Sequence, residues 1–259
     1  MICFKLKRRG YSLPRMKHYW LFALAFIGLV VSTQAQPAST PPAVPNIKIM
    51  MISGGWAHDY QTWYHNVDTA TLNKAGYTNI EYTEDSDFTA KNLSNADLMI
   101  MSANKGDIDT PAFRNSISNY IDAGKGAVLL HATLWYNWVW NKHLDEFNSE
   151  LVGGGARDHD GEAPFTEVIV KDHPVTEGLP KSFPVTDELY HTQPMAGAAP
   201  MEVLAMATRG DEKYPSVWIT HYGKSRIVCI ALGHDGESHN SPYYQKLLLN
   251  AVKWASGKD

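Results

Sequence analysis

The sequence predicts a protein of the α/β class: a three-layer sandwich on a mostly parallel sheet, with added antiparallel strands. Three observations predict it. Short apolar runs rich in Ile, Val, Leu and Met alternate with longer helical patterns in the first half. Those runs are continuously apolar, as strands covered on both faces are. In the second half strands follow one another without long helices between them, which adds antiparallel pairs.

The elements follow in order. Residues 47–52 read as the first strand. Residues 65–75 have helical spacing and end at Gly76, a natural C-cap. Residues 79–82 and 96–101 read as the second and third strands. Thr110 and Pro111 open a helix as N-cap and first helical residue, and that helix stops at Gly124. Residues 126–131 read as the fourth strand. Right-handed crossovers then give a doubly wound, flavodoxin-like arrangement. Residues 166–170, 201–208 and 216–221 read as further strands. Gly223-Lys224 is a tight hairpin turn between residues 216–222 and 225–232. Residues 242–256 form a last amphipathic helix, with Leu247, Leu248, Ala251, Val252 and Trp254 on or beside one face.

The N-terminus reads as a targeting segment. Residues 20–31 are an unbroken apolar run, preceded by Lys17 and His18 and followed by Thr33-Gln34-Ala35. The run falls short of the roughly 20 residues of a membrane span. Residues 1–35 are therefore expected to be a secretory signal peptide cleaved after Ala35, with Met16 as an alternative start; the rival is an uncleaved anchor. Residues 36–45 are a Pro-rich spacer, and residues 46–259 are expected to form a single domain in a periplasmic or secreted protein. No cysteine directly follows the apolar run, which argues against a lipid anchor.

The leader holds six Lys/Arg and no Asp/Glu, leaving 17 basic against 27 acidic residues, a net charge of −10. That sign excludes a nucleic-acid binder. It suits a neutral or cationic small molecule, or a metal ion. The two cysteines are Cys3, in the leader, and Cys229, in an apolar strand. No intramolecular disulfide is then available to the exported chain, and Cys229 reads as a packing residue.

Five segments read as loops carrying chemistry: 54–59 (GGWAHD), 131–136 (HATLWY), 153–160 (GGGARDHD), 187–191 (DELYH) and 233–239 (GHDGESH). Loops leaving the carboxyl ends of parallel strands build the site of an open α/β sheet. The first, second and fifth leave strands directly, so His58, His131 and His234 are expected to meet. Histidine titrates near neutral pH and ligates metals, so the group suits acid/base chemistry or zinc. Asp172-His173-Pro174 reads as a turn, and His65 and His143 as surface or packing residues. Trp135, Tyr136, Trp138 and Trp140 read either as core or as a platform for sugar rings. The sequence holds no Gly-x-Ser-x-Gly elbow and no phosphate loop.

Several of these pieces occur together in one family. They are Gly54-Gly55 with His58, the strand-end His131, Leu151-Val152-Gly153-Gly154 followed by His159, and Asp172-His173-Pro174-Val175-Thr176-Glu177-Gly178-Leu179-Pro180. Asp187-Glu188-Leu189-Tyr190 and Gly223-Lys224-Ser225-Arg226 leading to Leu232-Gly233-His234-Asp235 complete the set. In this order they resemble the ThuA-like (trehalose utilisation) family, over residues 47–257. The resemblance implies a fold like that of class I glutamine amidotransferases and a role in carbohydrate catabolism. Those enzymes carry a nucleophilic Cys where this chain has His131, so a glutaminase mechanism is not expected. Gly-Lys-Ser-Arg departs from the family's Gly-Lys-Gly-Arg, at a turn.

The expected function is an exported enzyme acting on a glycoside or its keto derivative by elimination, hydrolysis or isomerisation. His131 and His234 are the expected acid/base pair. His58, Asp59, Trp135, Tyr136, Glu188, Tyr190 and Asp235 are expected to bind the sugar. His58, His159 and Glu188 are the expected ligands of a divalent metal such as zinc. The alternatives are a non-catalytic sugar-binding module and a metal-dependent hydrolase.

Overall fold

The computed structural model describes residues 46–104, 108–135 and 147–258. Its strands are β1 (Ile49–Gly54), β2 (Ile80–Thr83), β3 (Leu98–Ala103), β4 (Gly126–Leu130), β5 (Gly154–Ile169), β6 (Ser182–Pro194), β7 (Glu202–Arg209), β8 (Glu212–Tyr222) and β9 (Ser225–Ile230). They form one sheet in the order β2-β1-β3-β4-β9-β8-β7-β5-β6. The first five in that order are parallel. The remaining pairs are antiparallel. The α/β class and the mixed sheet are as the sequence predicts.

Side chains alternate across the central strands, which builds two cores. Met50, Met99, Met101, Leu129, Ile227 and Cys229 pack with Phe113 and Ile117 of α3 (Pro111–Asp122). Met51, Ile100, Val128, Leu130, Val228 and Ile230 pack with Tyr64 and Leu72 of the first helix and with Leu247, Leu248 and Val252 of α5 (Pro242–Ala255). Burying each such side chain contributes about 1.5–3 kcal/mol, so helices are held on both faces of the sheet. Thr110 accepts a hydrogen bond from the Phe113 N–H, the cap expected for α3. Cys229 is fully buried, and burial pushes its thiol pKa well up, as a packing residue requires.

Four features differ from expectation. The first helix starts earlier, as a π-helix (Gln61–Asp68) that continues into α1 (Thr69–Lys74). Asp59 begins it by accepting from the Thr62 N–H at 3.0 Å. A short helix, α2 (Ser86–Asn92), was not foreseen; Asp85 caps it through the N–H groups of Asp87 and Phe88. Segments 153–160 and 187–191, read as loops, lie almost wholly in β5 and β6, whose pairing includes His159 with Tyr190 and Asp160 with Leu189. Glycines and charged residues suggested loops there, but the segments form a two-stranded antiparallel ribbon. A four-residue helix, α4 (Gly236–His239), forms within the last loop.

That ribbon positions the site. β5 pairs with β7 only over Thr166–Ile169, whereas its pairing with β6 runs from Gly154 to Val168. Between Gly154 and Thr166 the ribbon therefore has no backbone pairing with β7, and register shifts at Ala156/His159 and Asp160/Ala163 bend it. Val152, just before it, is tied down by the Trp218 indole N–H at 2.8 Å. Among the described residues no helix is long and apolar enough to cross a membrane. The expected leader and spacer, with Cys3, lie outside the described residues, as do Tyr136, Trp138, Trp140 and His143.

Candidate metal centre

β1, β4 and β9 are parallel, so their carboxyl ends share one edge. His58 follows β1, His131 follows β4 and His234 follows β9. Their rings do converge: centroids lie 4.8 Å apart for His58–His131, 5.0 Å for His58–His234 and 5.6 Å for His131–His234. The bent ribbon brings Glu188 of β6 into the same place. Its Oε2 lies 3.4 Å from His131 Nε2 and 3.3 Å from His234 Nδ1. Each of the four residues offers one ligand atom, and these atoms all lie within 4.8 Å of one another.

His131 is the most constrained member. It is fully buried and is the one non-glycine with positive φ, 29°, among the described residues. Holding such a backbone costs about 1–3 kcal/mol and marks functional sites. Thr133 secures the turn: its hydroxyl accepts from the Ala103 N–H at 2.9 Å and donates to the Met101 carbonyl at 3.0 Å. His131 Nδ1 lies 2.7 Å from the Ala231 carbonyl. A carbonyl only accepts, so Nδ1 carries a proton and Nε2 is the nitrogen that faces the group.

Two magnitudes bear on what the group could hold. A charge-assisted N–H···O bond is about 2.7–2.9 Å long; the Glu188 contacts are longer and leave His58 Nε2, His131 Nε2 and His234 Nδ1 buried without hydrogen-bond partners. Ligands about 2.0–2.1 Å from a tetrahedral zinc stand roughly 3.3–3.4 Å from one another; the two Glu188–imidazole distances match that spacing, and the four ligand atoms together lie within 4.8 Å. Three imidazoles and a carboxylate are also a donor set suited to zinc-class ions. Electrostatics favour ligation at His58 and Glu188, while at His234 a proton competes with a cation. Burial, then the neighbouring His131 and His234, hold the His58 pKa down to about 3, leaving a neutral ring. Burial works to raise the Glu188 pKa, but His131 and His234 outweigh it and hold the carboxyl well below its usual range. Glu188 in turn raises the His234 pKa.

A cavity of about 300 Å³ adjoins the group, lined in part by Trp56, Asn104, Trp135, His159 and Tyr190. Trp56 is 85% exposed at its rim. Trp135 and Tyr190 flank His159, with ring centroids at 5.3 and 5.7 Å from it. His159 Nδ1 lies 3.5 Å from Glu188 Oε1, outside the four-residue group.

The expected site is therefore redistributed. His131 and His234, expected as an acid/base pair, stand with His58 and Glu188 as potential ligands. Asp59 and Asp235 are not at the cavity: Asp59 serves the first helix, and Asp235 caps α4 through the Glu237 N–H at 2.9 Å. His65 stacks on Tyr82, a packing role. Asp160, His191 and Glu212 also cluster, but the Arg209 guanidinium bridges Asp160 and Glu212 and supplies the positive charge.

Sequence reasoning missed Thr133 and Asp187, and it missed the buried Asp68–His239 pair, 2.7 Å apart. Asp187 carried two signals, its place in the 187–191 segment and in the family motif ahead of Glu188, but neither gave it a role. Asp68 carried none, since an aspartate inside a helix ordinarily faces solvent.

Comparison with known proteins bears on the family and the fold. No curated protein matches the sequence. Among solved structures, a ThuA-like protein from Bacteroides uniformis is 24% identical, with a TM-score of 0.69 over 87% of this chain and 97% of that one. One from Parabacteroides merdae is 23% identical, with a TM-score of 0.70 over 82% of this chain and 90% of that one. A glutamine amidotransferase from Thermotoga maritima shares the fold at 10% identity, with a TM-score of 0.52 over 83% and 100% of the two chains. The family profile described as ThuA, trehalose utilisation, matches residues 48–255. This chain belongs to the ThuA family.

Proposed function

We propose that this chain is an enzyme of carbohydrate catabolism that holds a divalent cation of the zinc class at His58, His131, Glu188 and His234. Its substrate is a glycoside or keto-sugar held in the adjoining cavity. The observation that carries the reading is the convergence of three unpartnered buried ring nitrogens and one carboxylate oxygen within 4.8 Å of one another, two of the nitrogens 3.3–3.4 Å from the oxygen. A bound ion of this class polarises a carbonyl and acidifies a bound water. The chain's own residues do the rest. Trp56 and Trp135 offer flat faces to a sugar ring, and Asn104 and Tyr190 offer polar groups to its hydroxyls. His159 is the cavity imidazole outside the ligand group, placed to pass a proton to or from the substrate. The family's description, trehalose utilisation, supports the substrate class.

We also place the activity outside the cytoplasm. The support is the apolar run at 20–31 followed by Thr33-Gln34-Ala35. N-terminal sequencing of the protein from a periplasmic fraction should begin at Gln36.

The test of the reaction uses protein purified without a His-tag. Calorimetric titration should show one equivalent of Zn²⁺ bound, and His131→Ala and Glu188→Gln should lose it. Turnover of a panel of disaccharides and their keto derivatives should stop on chelation and return with Zn²⁺. Failure of the wild type to take up metal would sink the cation reading. Sugar binding without turnover, unaffected by His131→Ala, would leave a non-catalytic sugar-binding module.

A further inference from the structure

We propose that Asp187 is a positioning residue: it fixes His234 against Glu188 and so sets the spacing of the ligand group. The proposal rests on the reading of that group as a cation site. Asp187 is fully buried in β6, and successive strand residues face opposite ways, so its side chain lies across the strand from that of Glu188. Its carboxylate takes four donors. Oδ2 accepts from the Gly233 N–H at 2.7 Å and from the Ser238 hydroxyl. Oδ1 accepts from the His234 N–H at 3.2 Å and the Glu188 N–H at 2.7 Å. That uses the full acceptor capacity of a carboxylate.

The consequence is geometric. One side chain grips the backbone of both Glu188 and His234, two members of the group that come from different elements. The 3.3 Å between their ligand atoms is thereby tied to a single anchor. The peptide before His234 is held from the other side too. The Gly233 carbonyl accepts from the Tyr64 hydroxyl and faces His239 Nε2 at 3.2 Å. His239 Nδ1 is held by Asp68 at 2.7 Å. Gly233 itself has φ 120°, so the turn between these anchors uses a conformation that other residues rarely adopt. A role for Asp187 in starting α4 does not explain the contacts, because Asp235 caps that helix.

Asp187→Asn separates positioning from folding. An amide keeps the shape but turns one acceptor into a donor. Either the Gly233 N–H or the His234 and Glu188 N–H pair then loses its partner, and the turn must shift. Co²⁺ is the probe, read by its visible d–d absorption on protein shown to be folded by circular dichroism. Asp187→Asn should bind Co²⁺ 10–100-fold more weakly than wild type, the usual penalty for losing a residue behind a ligand, with an altered spectrum. Leu248→Ala, a core variant in α5, should be destabilised yet keep the wild-type affinity and spectrum. Equal affinity and an unchanged spectrum in Asp187→Asn would overturn the proposal. So would loss of Co²⁺ affinity in Leu248→Ala to the same degree.

Metal-free measurements keep the two readings distinguishable. In wild-type protein the Gly233 and His234 amides should exchange as slowly as sheet amides; exchange at open-loop rates would overturn the positioning role, even where Asp187→Asn does not fold. The His234 ring signals should move in metal-free Asp187→Asn. If wild type binds no Co²⁺ while these signals behave as expected, the cation reading fails and the positioning of His234 against Glu188 stands.

Discussion

Glu167 should make this protein less stable as pH rises. It lies in β5, fully buried, with Phe183 of β6 and Ala207 of β7 as its strand partners. Oε2 accepts from the Ser216 hydroxyl at 2.5 Å, and Oε1 has no partner. Burial pushes its pKa from 4.5 to about 8; Ser216 pulls against that, and the charge on Asp187 adds to it. The folded state thus holds the proton more tightly than the unfolded state. The associated stability is complete below about pH 4.5 and is lost as pH climbs towards 8. At about 1.4 kcal/mol per pH unit, the loss between pH 5 and pH 8 is about 3–4 kcal/mol. Glu167→Gln removes this titration. At pH 5 the variant should be equal to wild type or weaker, because its amide N–H₂ inherits the unpartnered position at a cost of about 1–3 kcal/mol. At pH 8 it should be the more stable protein. Urea denaturation at several pH values, with slopes checked for constancy, measures the difference directly. If the two stability curves stay parallel from pH 5 to pH 8, Glu167 is not the buried acid described here.

Three further predictions follow from local geometry. A Cβ at Gly55 would stand 1.5 Å from Asn104 Oδ1, at φ 115°; Gly55→Ala should destabilise by about 2 kcal/mol or more in thermal unfolding, and a wild-type Tm would contradict it. Trp56→Ala removes an exposed side chain, so its stability should stay within about 0.5 kcal/mol of wild type while its KM for a sugar substrate rises. An unchanged KM would remove Trp56 from the substrate site. Asp68→Asn leaves buried His239 and Tyr244 without their carboxylate and should lower stability by about 3–5 kcal/mol, read as a shift in denaturant midpoint; a shift worth under 1 kcal/mol would show that the pair carries little.

The parallel half of the fold was legible because its strands announce themselves. Continuous Ile/Val/Leu/Met runs at β1, β3 and β4 leave no other way to bury them, and Thr110-Pro111 states where α3 begins. His58, His131 and His234 were legible as a group for the same reason: parallel strands deliver their carboxyl ends to one edge. β5 and β6 were less legible. Gly153-Gly154-Gly155 and Asp187-Glu188 carry loop residues, yet cross-strand pairing and register shifts hold them in a ribbon. Such shifts depend on a partner strand that local pattern does not reveal. Asp59 and Asp235, expected to bind the sugar, accept from backbone N–H groups at helix starts.

The sequence by itself determined the sheet's parallel core, the edge at which its loops gather and the identity of the three imidazoles there. Each follows from periodicity and strand direction, which are local properties. Only the tertiary structure decided what those imidazoles are arranged for. Glu188 reaches them from the far end of the sheet order through a bent ribbon, and Asp187 ties that ribbon to the His234 turn. The convergence of the imidazoles' unpartnered nitrogens with the Glu188 carboxylate makes a group that could hold a metal ion. Those are relations between residues dozens of positions apart, set by packing, and no local pattern encodes them.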